Sequence, residues 1–465
     1  MKARLFKKLL LLFLFVSLFS CKNKDENLVQ TTYIGGQIIN PTLDYIIFSK
    51  GNEVLDTVKL DENNFFHFRT DKIKPGLYNL KHSESQVFYI EPGDSLLLHQ
   101  NTVDFDESLA YSGRGGEQNN LLMDFYLQNE IENRDLQKWY GLSSKDFEKK
   151  IDSLKASKLK EYDEFNKNNE SSEKFKKIAL ANIEYDYYSK KELFAAANRS
   201  NPEKFDKHFF DYRKNINFKR NDLLYYYPYY RFMNRYFDNV VCTKFDKNAS
   251  IDRYSFKYNF KKIKFIDSVV TFDSLKNSLL QHNAYFYLLN AKDAKEEEQY
   301  FEVFSKMNTD KKHLEKIGML YDATIKLTAG QTIPNVALVN TDNVVKDLQN
   351  IIKAPSVIYF WSGTSAKNKN LHSRAAELKS KYPEYDFLAI NTDTHFKKWL
   401  EIVKKSNYHS DSEFQLENIN EAEEKLVLNS MTKVIIVDKQ GIILDGKTNM
   451  FNSDFEQLLL GFLNR

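Results

Sequence analysis

Residues 357–361 form an unbroken apolar run, and they constrain the fold more than any other stretch of the chain. The run reads Val-Ile-Tyr-Phe-Trp, with Pro355 upstream and the pair Ser362-Gly363 downstream. Short apolar runs between turn residues are typical of strands buried on both faces of a sheet. An amphipathic pattern follows at 370–381. The sequence therefore predicts a buried strand, a tight turn and the N-terminus of a helix.

The rest of the C-terminal region continues this alternation of strands and helices. Strands are predicted at 335–339, 387–391, 433–437 and 442–444, and helices at 396–405 and 453–463. Such alternation, followed by a strand pair, predicts an α/β domain with a mixed sheet. The residues 391–393, Asn-Thr-Asp, end a strand where functional groups often lie, but they also suit an ordinary turn into the next helix.

The motif Phe-Trp-Ser-Gly-Thr at 360–364 resembles the Phe-Trp-Ala-Thr-Trp that opens the active-site loop of thioredoxin-like disulfide reductases of the TlpA/ResA and AhpC/TSA kind. Residues 330–334 and 387–393 also resemble segments of that family. In the family the loop continues with Cys-x-x-Cys, and a cis-proline precedes a later strand. The resemblance implies a thioredoxin-like domain at 327–465, and thiol–disulfide oxidoreductase activity as the family's reaction.

The positions that carry this reaction are replaced in the present chain. Ser365 and Asn368 stand where the resemblance places the two thiols, and Thr432 stands at the cis-proline position. Disulfide exchange needs a thiolate and a second thiol, and a serine alcohol neither ionises near neutrality nor forms a redox couple. We therefore predict no catalytic residue, and we expect Ser365 to act as an N-cap of the helix.

The N-terminus has the features of a lipoprotein signal peptide. Residues 2–8 are basic, 9–16 are apolar and 18–21 read Leu-Phe-Ser-Cys. We expect cleavage after residue 20, a lipid on Cys21 and a tether at 21–30, which would anchor the protein to a membrane of a Gram-negative envelope, facing the periplasm or the cell surface. An ordinary secretory signal with a chance cysteine is the alternative.

The remaining chain predicts two further regions, so that the fold class is multidomain α+β. An all-β, sandwich-like domain is expected at 31–117, because short strand patterns alternate with turn signals at 33–39, 45–48, 54–58, 65–68, 76–80, 86–90 and 95–98. A helical region is expected at 118–326, with helices at 144–159, 175–197, 202–214, 222–238, 274–291 and 295–307. The lysines at 257–264 suggest a solvated face.

Three features could carry other functions. Cys242 could be a redox thiol, but free cysteines are usually buried. The aromatic patch at 223–232, with Tyr226, Tyr229 and Arg231, could stack on sugars, although aromatic residues at helical spacing usually form core. The nine histidines show no metal-binding spacing, so neither a metal nor a cofactor is predicted.

These observations favour a binding or scaffolding protein that is not an enzyme. A groove beside Trp361, Ser365, Lys367 and Thr432 could hold an extended peptide or an envelope protein by strand addition. Two alternatives stay open, namely family-type redox or antioxidant activity through Cys242, and binding of an envelope polymer or carbohydrate. The net charge of +3 gives no reason to expect a nucleic acid.

Overall fold

A computed structural model describes residues 30–464, apart from 52, 83, 244–250, 364, 366, 367, 429 and 431. The predicted signal peptide and Cys21 therefore lie outside the described residues, as does Lys367. The chain forms two compact units. The first contains the described residues up to Trp139 together with Lys150–Asp186, and the second contains Tyr140–Lys149 and the chain from Tyr187 onward. The predicted helical region is thus divided between the units.

The first unit contains two four-stranded sheets, in the orders β4-β1-β7-β8 and β3-β2-β5-β6. Their strands are β1 (Thr32–Ile39), β2 (Tyr45–Lys50), β3 (Glu53–Lys59), β4 (Phe65–Thr70), β5 (Gly76–Lys81), β6 (Ser85–Ile90), β7 (Ser95–Asn101) and β8 (Ala110–Arg114). One core cluster takes residues from both sheets, including Ile34, Phe48, Phe88 and Leu96. The all-β prediction is confirmed. The seven predicted strands are all present, and β8 is an addition.

The helices are numbered in chain order through both units. They are α1 (Phe105–Ser108), α2 (Gly116–Leu136), α3 (Ser144–Asn168), α4 (Glu173–Ala197), α5 (Tyr227–Cys242), α6 (Phe256–Val269), α7 (Asp273–Asn290), α8 (Ala294–Met307), α9 (Lys311–Ile325), α10 (Leu348–Ile351), α11 (Asn368–Lys381), α12 (Phe396–Ser406), α13 (Ile419–Leu426) and α14 (Phe455–Leu463). Among the described residues, none of these helices has the length and apolar content needed to cross a membrane.

Two predictions about the helical region are wrong. The predicted helix at 202–214 is replaced by the short 3₁₀ turns Pro202–Lys204 and Asp211–Asn215, because the side chain of Asp206 accepts a hydrogen bond from the backbone N–H of His208 and holds a local turn instead. The lysine run at 257–264 is not wholly solvated. Lys262 is only 6% exposed and forms a 2.6 Å ion pair with Asp238.

The second unit is built on a seven-stranded mixed sheet in the order β10-β9-β13-β12-β11-β14-β15. Its strands are β9 (Ala337–Asn340), β10 (Val345–Asp347), β11 (Ser356–Trp361), β12 (Asp386–Asn391), β13 (Glu413–Leu416), β14 (Lys433–Val437) and β15 (Ile443–Asn449). The central strand, β11, runs parallel to β12 and antiparallel to β14. Every residue of β11 is buried, as the apolar run predicts.

Both faces of this sheet are covered by apolar residues. On one face, Val357, Tyr359 and Trp361 pack with residues of α11, α12 and α14. On the other face, Ile358 and Phe360 pack with α13, and side chains of α7 and α9 lie against the same cluster. The mixed α+β prediction is confirmed, and helices of the middle region serve as cover for the C-terminal sheet within this unit.

A buried ion pair joins α8 to strand β15 of the sheet. The ammonium of Lys447, on β15, lies 2.6 Å from the carboxylate of Glu297, and the two side chains are only 4% and 0% exposed. Lys447 also donates a hydrogen bond to the carbonyl of Leu288. Removing one partner of such a pair leaves an uncompensated buried charge, so the pair fixes how α8 meets the sheet.

Candidate functional site

The loop between β11 and α11 is held at its start by the carboxylate of Asp393. One oxygen accepts a 2.5 Å hydrogen bond from the hydroxyl of Ser362, and the other accepts a 2.7 Å bond from the backbone N–H of Gly363. A Cβ at Gly363 would lie 2.4 Å from Cδ1 of Ile402, so a larger residue there would require the Ile402 side chain to move. Asp393 follows β12, where the sequence left open a functional group or an ordinary turn, and it anchors the loop.

Beneath the loop lies a buried polar cluster centred on Glu413. Its carboxylate accepts a 3.1 Å hydrogen bond from the indole N–H of Trp361 and lies 2.9 Å from Nε2 of His372. Nδ1 of His372 lies 3.1 Å from the carbonyl of Asn368, and the Tyr408 ring stacks on the imidazole at 3.7 Å. Burial raises the pKa of Glu413, although the bonds from His372 and Trp361 oppose the shift.

The protonation of this cluster follows from its geometry. Nδ1 of His372 faces the carbonyl of Asn368, which can only accept, so Nδ1 must carry a hydrogen. The contact between Nε2 and the Glu413 carboxylate then needs one proton, carried by either the nitrogen or the oxygen. Both ring nitrogens of His372 therefore make hydrogen bonds to other residues of the protein. His372 is positioned as a support for the helix N-terminus and not as a base open to a ligand. No local pattern predicts the contact between His372 and Glu413, because the two residues are 41 positions apart.

The two positions that correspond to the family's thiols lie at the start of α11. Ser365 is partly exposed and Asn368 is buried. The described part of α11 begins at Asn368, whose backbone N–H donates a 3.1 Å hydrogen bond to the carbonyl of Ser365. The expectation that Ser365 caps this helix stays a prediction. Neither residue carries sulfur, so this helix terminus has no thiolate to stabilise.

One residue of the predicted peptide groove, Trp361, is buried and cannot line it. That indole is 0% exposed and is hydrogen-bonded to Glu413. Trp361 therefore supports the loop and cannot present its side chain to a ligand, which corrects its place in the groove. Thr432 is partly exposed, and its hydroxyl lies 2.9 Å from that of Ser430. Of the predicted groove, Ser365 and Thr432 remain as described residues with accessible surface.

The residue after Thr432 is a buried lysine that sequence reasoning did not single out. The ammonium of Lys433 donates hydrogen bonds to the carbonyls of Leu426 and Val427, at 2.6 and 3.0 Å, which satisfies the C-terminus of α13. Burial and the nearby charge of Lys447 lower the pKa of Lys433 to about 7. At neutral pH this side chain is therefore close to the midpoint of its titration.

The other candidate residues are buried in the core. The thiol of Cys242 is 2% exposed and packs with Val241 and Tyr258, and burial raises its pKa. Tyr226 and Tyr229 are 3% and 0% exposed, so the two tyrosines predicted to stack on a sugar are core, while Tyr225 beside them is 45% exposed. Within the described residues, no group of three or more His, Cys, Asp or Glu is placed to hold a metal ion.

The lowered pKa of Lys433 gives a prediction for stability. From about pH 7 to about pH 9, the excess of protons that the unfolded chain binds at this side chain grows from about a half to nearly one, so the unfolding free energy must rise with pH. Relative to Lys433→Met, the wild type should gain about 2 kcal/mol over this interval in urea denaturation.

A matched control is available in the β14–β15 turn, where Lys439 is exposed. The variant Lys439→Met should follow the wild type at both pH values. Equal pH slopes for the wild type and Lys433→Met would show that Lys433 titrates normally in the folded state, contrary to this account.

Comparison with protein families identifies one domain of the chain. Residues 354–443 match the family model described as thioredoxin-like, so the second unit contains a thioredoxin-like domain. No curated protein matches the chain. Among solved structures, a thioredoxin-like protein from Bacteroides caccae is 12% identical with a TM-score of 0.36, covering 59% of this chain and 93% of its own.

Two further solved structures are each similar to about a third of the chain. The thioredoxin domain of a thiol-disulfide oxidoreductase from Bacteroides vulgatus is 13% identical with a TM-score of 0.27, covering 30% of this chain and 99% of its own. A thiol:disulfide interchange protein from a Bacteroides species is 14% identical with a TM-score of 0.26, covering 30% and 93%.

Proposed function

We propose that this chain is a lipid-anchored protein of the cell envelope whose thioredoxin-like domain binds a partner and does not exchange disulfides. The observation that carries the proposal is the presence of Ser365 and Asn368 where the family has its two thiols. A thioredoxin-like helix terminus without sulfur keeps the fold but loses the reacting group. The partner we favour is an extended peptide or a segment of an envelope protein.

The state of the remaining thiol supports the absence of redox activity. Cys242 is 2% exposed, and burial raises its pKa, so that the reactive thiolate is disfavoured. Among the described residues, its core cluster contains residues of α5 and α6 with Ile251, and none from the loop after β11. No observation therefore favours the alternative of an oxidoreductase or antioxidant enzyme working through Cys242. The burial of Tyr226 and Tyr229 likewise gives no support to carbohydrate binding.

The binding surface we propose includes Ser365 and Thr432 among the described residues. A polar loop held by Asp393 lies at one end, and the start of β14 lies at the other. Extended peptides are often held in such places by backbone hydrogen bonds, with side chains giving specificity. Because Trp361 and His372 are fixed by Glu413, the loop is supported from below, and such preorganisation lowers the cost of binding.

The lipid anchor is the second part of the proposal. A basic segment, an apolar segment and the tetrapeptide Leu-Phe-Ser-Cys together suit a lipoprotein signal peptidase, with Cys21 as the acylated residue. Metabolic labelling with a radioactive fatty acid should mark the wild type in the membrane fraction, and Cys21→Ala should abolish the label. Persistence of the label in that variant would exclude Cys21 as the anchor.

The redox part of the proposal is tested by disulfide reduction. Insulin reduction by the purified full-length protein should not exceed the background rate, because the loop has no sulfur. The double replacement Ser365→Cys with Asn368→Cys should create activity, since the two residues occupy the positions of the family's thiols at the N-terminus of α11.

Two variants make the result interpretable. The single replacement Ser365→Cys should stay inactive, because it lacks the resolving thiol. Cys242→Ala should match the wild type. Reduction by the wild type that disappears in Cys242→Ala would contradict the proposal and establish an unfamiliar redox centre at Cys242.

A further inference from the structure

The outer face of the sheet β4-β1-β7-β8, in the first unit, presents apolar side chains to solvent. Side chains alternate along each strand, so that Ile34 and Leu96 point into the core and their neighbours point outward. A shallow cavity of about 480 Å³ lies against these strands, and all of its lining residues belong to them. The lining includes Phe65 and Leu97, which are 46% and 42% exposed. Outward-facing strand positions are more often polar, so this face calls for an explanation.

The strand register brings the two apolar side chains to either side of β1. Phe65 of β4 lies opposite Gln37 of β1, and Leu97 of β7 lies opposite Gly35 of β1. Phe65 and Leu97 therefore occupy neighbouring rows of the sheet, and Gly35 places no side chain between them. Exposed apolar residues that lie close together indicate a binding surface, whereas single ones do not.

The next row of the same face is basic. Tyr33 of β1 lies opposite Arg69 of β4, and at the other edge of the sheet Arg114 ends the row. The guanidinium of Arg69 lies 5.5 Å from the centre of the Tyr33 ring, and Arg69 has no ion-pair partner among the described residues. The carboxylate of Asp94, which precedes β7, offsets part of the charge of Arg114. Arg69 is therefore the main exposed charge of the face.

The four strands contain no acidic residue. Asp and Glu make up 64 of the 465 residues of the chain, yet the sequences of β1, β4, β7 and β8 contain neither. His67 and His99 are exposed on this face and have no hydrogen-bond partner in the part of the chain that the structure describes. Their ring N–H groups are available as donors to an anion. Charge complementarity therefore favours a negatively charged partner for the face.

The position of the N-terminus indicates where such a partner lies. β1 begins at Thr32, so the chain enters the sheet beside Tyr33 and the basic row. With a lipid on Cys21, about ten residues would join the acylated cysteine to β1, and a chain of that length spans at most about 35 Å. The tether would hold this sheet close to the bilayer, with the basic row at the end where the tether arrives.

We propose that the outer face of β4-β1-β7-β8 docks on a lipid bilayer that contains anionic phospholipids. The inference rests on the lipid anchor of the proposed function, which keeps the face near the membrane. Phe65 and Leu97 enter the boundary between headgroups and acyl chains, and Tyr33 suits this amphipathic layer. Arg69 pairs with lipid phosphate. The contact is weak by itself, and the tether makes it sufficient by raising the local concentration.

Vesicle flotation tests the docking face without the anchor. The chain from Lys22 to Arg465 has no cysteine to acylate at its start and keeps every residue that the structure describes. At roughly millimolar lipid it should float with vesicles of phosphatidylcholine and phosphatidylglycerol, and bind pure phosphatidylcholine several times more weakly. Arg69→Gln should weaken binding to the anionic vesicles about fivefold. The double replacement Phe65→Ser with Leu97→Ser should weaken it about tenfold or more.

Matched controls are present in the same unit. Leu55 is 43% exposed on β3 in the other four-stranded sheet, and Arg134 is exposed on α2. Leu55→Ser and Arg134→Gln should float as the wild type does, although they remove the same kinds of group. If the double replacement does not fold, the comparison of Arg69→Gln with Arg134→Gln still decides the question, because both arginines are exposed.

Each outcome either supports or overturns the docking face. Absence of flotation with both kinds of vesicle would overturn it, as would equal flotation with neutral and anionic vesicles. Flotation that the control variants weaken as much as the face variants do would overturn the assignment to this face.

The fatty-acid label on Cys21 reports separately on the anchor. A labelled protein whose chain from Lys22 ignores vesicles would keep the anchor and lose the docking face. An unlabelled protein whose chain from Lys22 floats with anionic vesicles would lose the anchor and keep the face.

Discussion

The second unit depends on the burial of β11 on both faces. A strand whose six residues are all buried cannot exist at the surface of a sheet, so each face must be covered. Helices α11, α12 and α14 cover one face, and α13 covers part of the other. Side chains of α7 and α9 add to that second face, and the Glu297–Lys447 ion pair holds α8 against β15. The helices before residue 326 are therefore part of the structure that completes the C-terminal core.

This arrangement explains how the loop after β11 keeps its form without a disulfide. Asp393 fixes the first two residues of the loop through the hydroxyl of Ser362 and the N–H of Gly363. Glu413 fixes Trp361 and His372 below it. These contacts are hydrogen bonds between buried or half-buried groups, which are costly to break when one partner is removed. A loop held in this way is suited to presenting a surface, and it contains no group that exchanges electrons.

Patterns that are local in sequence predicted much of the fold. The seven strands of the sandwich follow from alternation and turn residues, and β11 follows from its apolar run. β8 was missed because Ser112, Gly113 and Arg114 are weak strand formers, and Gly113 has a positive φ of 80° that L residues avoid. α6 was missed because its lysines suggested a solvated face, whereas Lys262 is paired with Asp238.

The site was less predictable than the fold because its contacts join distant positions. The resemblance located Ser365, Asn368 and Thr432, but no local pattern connects His372 or Trp361 to Glu413. The strand pattern at 433–437 could not reveal that Lys433 is buried against the end of α13, since a lysine at the start of a strand is usually solvated. The residues Asn391–Asp393 were the one local pattern that pointed to the site, because functional groups often follow the carboxyl end of a buried strand.

The most direct test of the central claim is the reactivity of the remaining thiol. In Cys21→Ala protein, Cys242 is the only cysteine, since the chain has two. Its reaction with an aromatic disulfide such as DTNB should be slower by roughly 100-fold or more in the native protein than in urea, because the thiol becomes accessible only on opening of the α5–α6 core. Native protein that reacts as fast as the unfolded chain would contradict the account, because an accessible and activated Cys242 would restore a redox function.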